Sequence, residues 1–259
     1  MLDQSFVNNR KMELDNYELR CKGRISYRYR DDVFHRKTGL NRIRKKLAIG
    51  IGTKEYKEGE NRIFEKEVFD IKTDTFFDGF WQNYRYFDKY RNELLNIFRP
   101  KQTIAEPVKS LQSRLEAAES VSLHIRRGDY IGLNWQISMK YYEEAIERIK
   151  KEIGNNNNSK ITLCVFSDDM DFVKGFFSKR EVPDIDIIYA EYESENNNIY
   201  DMYLMSRCRH NIIANSSYSW WGAYLNNNPD KKVICPVVGV WNESIYPEEW
   251  IKLAAETEG

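Results

Sequence analysis

Several common signatures are missing from this chain of 259 residues. Only three histidines occur, and no His/Cys/Asp group has the spacing of zinc ligands, so sequence offers no zinc site. The four cysteines, Cys21, Cys164, Cys208 and Cys235, form no CxxC pair. Three of them lie in apolar or helical stretches, the pattern of reduced structural thiols in a cytoplasmic protein. No apolar run approaches the ~20 residues of a membrane span. The opening MLDQSFVNNR has no apolar core of a secretion signal. Walker A and GxSxG motifs are absent. Neither sign of charge is in excess, with 40 Lys plus Arg against 40 Asp plus Glu, so global charge names no polyanionic partner.

What is present is a globular composition, 41% apolar and 31% charged, in a chain long enough for one large domain or two modest ones. Charge is unevenly spread. Residues 20–46 hold eleven basic residues against Asp31 and Asp32. That stretch suits an anionic membrane surface, a nucleic acid or a polyanionic substrate, or is a solvated face. No aromatic RNP-type motif supports RNA binding.

The two parts of the chain read differently. Residues 1–118 are aromatic, basic and irregular, with a helical signal where Phe87, Tyr90, Leu94 and Phe98 recur before Pro100. The dense aromatics of 76–100 fit either domain packing or a sugar platform. From 119 to 259 strands and helices alternate. Strands are expected at 121–125, 161–166, 186–190, 211–215 and 232–236, and helices at 138–153, through Phe172 and Phe176, and at 198–208. Near-continuously apolar strands alternating with helices imply a doubly wound parallel sheet covered on both faces. The Asn runs at 155–158, 196–198 and 226–228 read as loops.

Three expected strand ends carry polar clusters: Arg126, Arg127, Gly128 and Asp129 after the first, Ser167, Asp168 and Asp169 after the second, Asn215, Ser216 and Ser217 after the fourth. In a doubly wound sheet such ends share one edge, where helix N-termini also point their free N–H groups. Adjacent guanidiniums suit a diphosphate, because each presents a planar fork of donors. Ser216 and Ser217 cap a helix, receive phosphate, or do both. Asp168 or Asp169 fits the N1–H and N2–H₂ edge of guanine. Asp169-Met170-Asp171 also has the form of a metal-binding DxD, and helix capping is a third reading. His124, on the strand face of Arg126, contacts a nucleotide, holds a backbone carbonyl, or is buried and structural.

FFDGFWQNYRYF (76–87), LHIRRGDY (123–130), VFSDD (165–169) and DMYLMSRCRHNIIANSSYSWWGAYLN (201–226) together resemble the inverting α-1,2-fucosyltransferases of glycosyltransferase family 11, the bacterial branch above all. The resemblance implies a GT-B fold: a C-terminal Rossmann-like sheet for GDP-fucose, and a smaller N-terminal α/β domain for a galactose-containing glycan acceptor. It implies no metal or other cofactor and no nucleic-acid partner. Arg126 would hold the diphosphate. Arg127 and Asp129 would order the turn or reach the substrates, with Asp129 the candidate base. His124 and Asp168 or Asp169 would contact guanosine, and Asn215, Ser216 and Ser217 would receive phosphates. The family's opening GGLGNQMFQYA segment has no counterpart here, so the N-terminal domain is expected to be truncated. Without it, the alternative is an inactive homologue that binds carbohydrate or nucleotide. Residues 20–46 would keep a cytoplasmic enzyme near the inner face of an anionic membrane.

Overall fold

The computed structural model describes residues 54–258 apart from 74, 102, 155–159, 181, 193–196 and 240, together with Leu2, Asp3, Tyr17, Tyr27 and Arg28. Of the basic stretch 20–46, all but Tyr27 and Arg28 lies outside the described residues. Cys21 and the Asn run 155–158 lie outside them too, as does Asn196 of the second run. No helix among the described residues is long and apolar enough to cross a membrane.

The centre is a six-stranded, all-parallel sheet. Before it come two short parallel pairs, β1 (Leu2–Asp3) with β2 (Tyr27–Arg28) and β3 (Lys54–Lys57) with β4 (Thr75–Asp78). Helices α1 (Arg91–Ile97) and α2 (Glu106–Ala117) follow. The sheet is built from β5 (Ser120–Ile125), β6 (Ile161–Ser167), β7 (Ile185–Tyr189), β8 (His210–Ile212), β9 (Val233–Val237) and β10 (Ile251–Ala254). Its order is β10-β9-β8-β5-β6-β7. The chain therefore winds outward from β5 to β7, returns to the centre, and winds outward again from β8 to β10. That is the doubly wound order, and its reversal between β5 and β8 opens a crevice at the carboxyl ends of the strands. Between the strands stand α3 (Gly128–Leu133), α4 (Met139–Ile153), α5 (Met170–Phe177), α6 (Asn197–Arg207) and α7 (Ser217–Tyr224).

Strand alternation explains how the layers attach. Val121, Leu123, Ile125, Leu163 and Val165 pack under Tyr142, Ala145, Ile146 and Ile149 of α4 and under Val173 and Phe177 of α5. The intervening Cys164 and Phe166 face the opposite way, onto Leu115 of α2 and Leu204 and Met205 of α6. Both sheet faces are thus covered, as parallel strands require. Cys164, Cys208 and Cys235 are free and buried.

Three expectations shift in detail. The helical signal before Pro100 becomes two 3₁₀ turns, Tyr84–Tyr86 and Asp88–Tyr90, and then the short α1. The sheet gains β10, an edge strand with alternating exposure. The Asn run 226–228 is partly buried and structural. Asn211 Nδ2 donates to Ser122 Oγ at 2.7 Å and to Met205 O at 2.8 Å. Asn226 Nδ2 donates to Asn211 Oδ1 at 2.8 Å and Cys208 O at 2.7 Å, while Asn226 Oδ1 accepts from the Asn228 N–H at 2.9 Å. The relay satisfies backbone groups on both sides of β8.

The carboxyl end of α7 is closed by two basic side chains. Lys231 Nζ donates to the carbonyls of Ala223 and Asn226, each at 2.8 Å. Arg91 of α1 donates to those of Tyr224 at 3.1 Å and Asn226 at 2.9 Å. Burial pushes the Lys231 ammonium down to about 7. Phe87 stacks on Trp221 at 5.1 Å, and Phe98 lies 5.1 Å from the same ring. These two aromatics of the 76–100 segment therefore serve as packing against α7. Asn226→Ala removes one side of the buried relay and leaves its partners unpaired. It is expected to lower stability by roughly 2–4 kcal/mol in urea denaturation.

Candidate functional site

The carboxyl ends of β5, β6 and β8 carry the three polar clusters, as the sequence pattern implied. β5 is buried along its whole length, so the chain emerges from the sheet only at Arg126. Asp168 receives it. Its Oδ1 accepts the backbone N–H of Arg127 at 2.8 Å, and its Oδ2 takes Arg126 Nη1 at 2.9 Å. Arg126 Nη2 donates to Asp129 Oδ1 at 2.7 Å. Arg127 Nε donates to Asp169 Oδ2 at 3.0 Å, and its guanidinium lies 3.4 Å from the centre of the Phe172 ring. Both guanidiniums are thereby aimed by carboxylates, with most of their N–H donors left over.

Asp169 has a second task. Its Oδ1 accepts the Phe172 N–H at 3.3 Å and caps α5, and Ser167 Oγ accepts the Asp169 N–H at 3.1 Å. Asp171 stands in the first turn of α5, where negative charge suits the helix dipole. Among the described residues no group of three or more His, Cys, Asp or Glu side chains could hold a metal ion. Asp169 thus both caps α5 and pairs with Arg127.

Across the crevice, Asn215 and Ser216 are buried and Ser217 is exposed at the start of α7. Ser216 is the N-cap by position, yet its side chain makes no capping hydrogen bond. Tyr130 of α3 reaches over and donates its hydroxyl to the Asn215 carbonyl at 3.2 Å, and Asn215 Nδ2 donates to Trp135 O at 2.8 Å. Asn215 Oδ1 and His124 Nδ1 are buried without a hydrogen-bond partner among the described residues. Unpaired polar atoms are uncommon in protein interiors, and here two of them sit at the reversal of the strand order. Burial, with Arg126 nearby, drives the His124 imidazole down to about 3. It is therefore neutral at physiological pH. Its ring lies 5.6 Å from that of Tyr218.

The structure thus brings together Arg126, Arg127, Asp129, Asp168 and Asp169 as one ion-paired cluster, and sets Asn215, Ser216 and Ser217 facing it through Tyr130. His124 is placed beneath, among buried groups. Sequence reasoning missed three residues. Tyr130 and Tyr218 carry no motif of their own: Tyr130 is placed by its bond to the Asn215 carbonyl, and Tyr218 by the packing of α7 on α6, where its hydroxyl accepts the Met202 N–H at 3.1 Å. Asp201 hides in the apolar helix α6. It accepts the Tyr192 hydroxyl at 2.5 Å, and burial raises its carboxyl to about 7. A lone acid between Tyr200 and Met202 was the available signal.

Gly128 has no freedom to be another residue. A Cβ there would stand 2.3 Å from Asp168 Oδ2 and 3.2 Å from its Cγ, so a side chain would evict the carboxylate that aims Arg126. At Gly132, in the same helix, a Cβ meets nothing within 4 Å. Gly128→Ala is expected to destabilise the fold by about 1–3 kcal/mol through overpacking. Gly132→Ala serves as the neutral control, with both read by thermal and urea unfolding.

Comparison with known proteins finds several relatives. The chain is 32% identical over 209 residues to an alpha-1,2-colitosyltransferase of Escherichia coli, covering 76% of this chain and 69% of that protein. It is 34% identical over 187 residues to the O-antigen biosynthesis glycosyltransferase WbnK of Escherichia coli, covering 67% of this chain and 59% of that one. It is 23% identical over 204 residues to the galactoside 2-alpha-L-fucosyltransferase Sec1 of Mus musculus, covering 70% of this chain and 52% of that protein. The chain therefore spans about half to two thirds of the lengths of these relatives. The model of glycosyl transferase family 11 matches residues 25–254, and the chain belongs to that family.

Proposed function

We propose that this protein transfers L-fucose from GDP-β-L-fucose to the 2-hydroxyl of a galactosyl acceptor, with inversion, giving an α-1,2-fucoside. The observation that carries the reading is the pair of arginines held at the strand-order reversal, opposite the uncapped N-terminus of α7. Diphosphates bind at such crevices, where oriented N–H groups meet guanidinium forks. The relatives' names point to the same chemistry: one is a 2-alpha-L-fucosyltransferase and another an alpha-1,2-colitosyltransferase. Colitose is L-fucose without its 3-hydroxyl, so both donors present the same ring face and the same anomeric carbon.

In this mechanism the acceptor oxygen attacks C1 from the face opposite the diphosphate. The bond from C1 to the β-phosphate oxygen breaks, and its electron pair leaves with GDP. The transition state is oxocarbenium-like, and charge grows on the departing phosphate. Arg126, pre-aimed by Asp168, and the amino end of α7 with Ser216 and Ser217 stabilise that charge. Arg127 supports the same phosphates. Asp129, held by Arg126, takes the proton lost by the acceptor. His124, neutral, and Asn215 offer their unpaired atoms to the nucleotide. No metal enters this scheme, because the phosphate charge is met by fixed guanidiniums and helix N–H groups. The division at 118/119 into acceptor and donor domains, completing a GT-B pair, is part of the same proposal, as is contact of 20–46 with an anionic membrane.

Removing such a donor from a transition state typically costs about 3–4 kcal/mol, a hundred- to thousandfold in rate. Arg126→Ala is expected to lose that much kcat in a GDP-release assay with GDP-fucose and a galactoside, and Arg126→Lys is expected not to restore it, since an ammonium lacks the fork. Near-normal turnover by Arg126→Ala would reject the role. Asp129→Asn with intact folding tests the base: substantial remaining turnover removes Asp129 from it. Running GDP-fucose beside GDP-colitose decides the donor, and chelator-insensitive turnover is the expected result for the metal-free scheme.

A further inference from the structure

A groove lies beside the amino end of α7. Its inner chamber, a cavity of about 90 Å³, is bounded by Ser217 and Trp221 of α7, by Phe80 and Trp81 of the segment after β4, and by Trp241. Its outer chamber, about 350 Å³, is bounded by Glu60, Asn61, Arg62 and Asn242. Gln82, Trp241 and Ile245 border both, so the two adjoin. One end is aromatic, the other polar.

The loop that supplies the aromatic wall is held under strain. Trp81 adopts φ 51°, a left-handed conformation that bulky residues rarely take. Glu58, just past β3, enforces it. Its Oε2 accepts the Phe80 N–H at 2.7 Å and its Oε1 the Trp81 N–H at 3.2 Å. Gly79 permits the approach, since a Cβ there would lie 2.4 Å from Glu58 Cβ. The Trp81 indole N–H is also buried without an acceptor among the described residues. Strain and an unmet donor in one residue persist where surrounding structure imposes them, and such places concentrate at binding sites. Around the groove, the side-chain amide of Gln82 makes no hydrogen bond among the described residues, and Arg62 rests its guanidinium over the exposed Phe80 ring at 4.1 Å.

We infer that this groove is the acceptor subsite, and that its ligand is an oligosaccharide of at least two sugar rings. The inference rests on the function proposed above and adds where the acceptor lies. The aromatic chamber offers flat rings to the C–H face of the reacting sugar. It borders Ser217, so a sugar there lies beside the phosphate-binding end of α7. The polar chamber offers Glu60, Arg62, Gln82 and Asn242 to the hydroxyls of the preceding sugar. A lipid chain would find charged groups along that half, and a phosphate alone would find no use for the aromatic half. The outer chamber falls within the ~300–1,000 Å³ typical of small-molecule sites. Residues Gln82 and Arg62 are then specificity-determining: Arg62 acts on the second ring, Gln82 at the junction of the two, and neither on bond cleavage.

The test uses the full chain with saturating GDP. Binding of methyl β-galactoside and of lactose is followed by saturation-transfer NMR, with GDP affinity measured separately by calorimetry. The wild type is expected to bind lactose more tightly than the monosaccharide. Gln82→Ala and Arg62→Ala are expected to weaken lactose roughly three- to tenfold, as lost hydrogen bonds to neutral groups do. Both are expected to leave GDP unchanged, and Arg62→Ala, which lies on the outer chamber alone, to leave the monosaccharide unchanged as well. In turnover, KM for lactose rises and kcat holds. A protein that binds GDP but shows no preference for the disaccharide, or whose lactose affinity survives both substitutions, overturns the subsite. Failure to bind GDP at all instead overturns the proposed function, so the two failures are told apart.

Discussion

The site depends on one carboxylate. Asp168 closes the end of β6 onto the end of β5 by taking the Arg127 N–H and the Arg126 guanidinium at once. Without it the chain leaving β5 would have no fixed direction, and α3 would lose the anchor at its start. The absence of a side chain at Gly128 is a requirement of this contact. So is the parallel pairing that sets Ile125 beside Ser167, because a slip of one residue would carry Asp168 to the other face of the sheet. A charged cluster at a sheet edge is thereby given one geometry by backbone register.

The charge balance of the cluster bears on what it can hold. Two guanidiniums face three carboxylates, a net of minus one before any ligand arrives. Bulk attraction is therefore not what would draw a diphosphate. Recognition has to rest on direction: forks already aimed, helix N–H groups without side-chain caps, and a neutral imidazole below. Preorganisation of this kind costs little reorganisation when charge develops.

Much of this could be read from the amino acids, for physical reasons. Apolar β-branched runs separated by amphipathic helices can bury both sheet faces in few ways, so the doubly wound core and its loaded edge were legible. Edge strand β10 was not, because alternating Ile251, Lys252, Leu253 and Ala254 next to a tryptophan gives no continuous apolar run. Helix α2 was not, because only Val108 and Leu115 of its twelve residues are buried. Asn226 read as loop, since an amide's burial is decided by partners far along the chain. The cap made by Asp169 needed coordinates, because its bond from the Phe172 N–H and its pairing with Arg127 depend on where α5 begins. Trp81 could not be singled out among thirteen phenylalanines, six tryptophans and seventeen tyrosines until its backbone angle was known.

Helix α7 is gripped at its tail by Lys231 and by Arg91 of α1, while its head looks into the crevice. Eight residues make a stiff rod about 12 Å long. Its tail is held from α1 and from Lys231, and its flank is packed against Phe87 and Phe98, so the bearing of its head toward the crevice is set by side chains that precede the sheet in the chain as well as by the sheet itself.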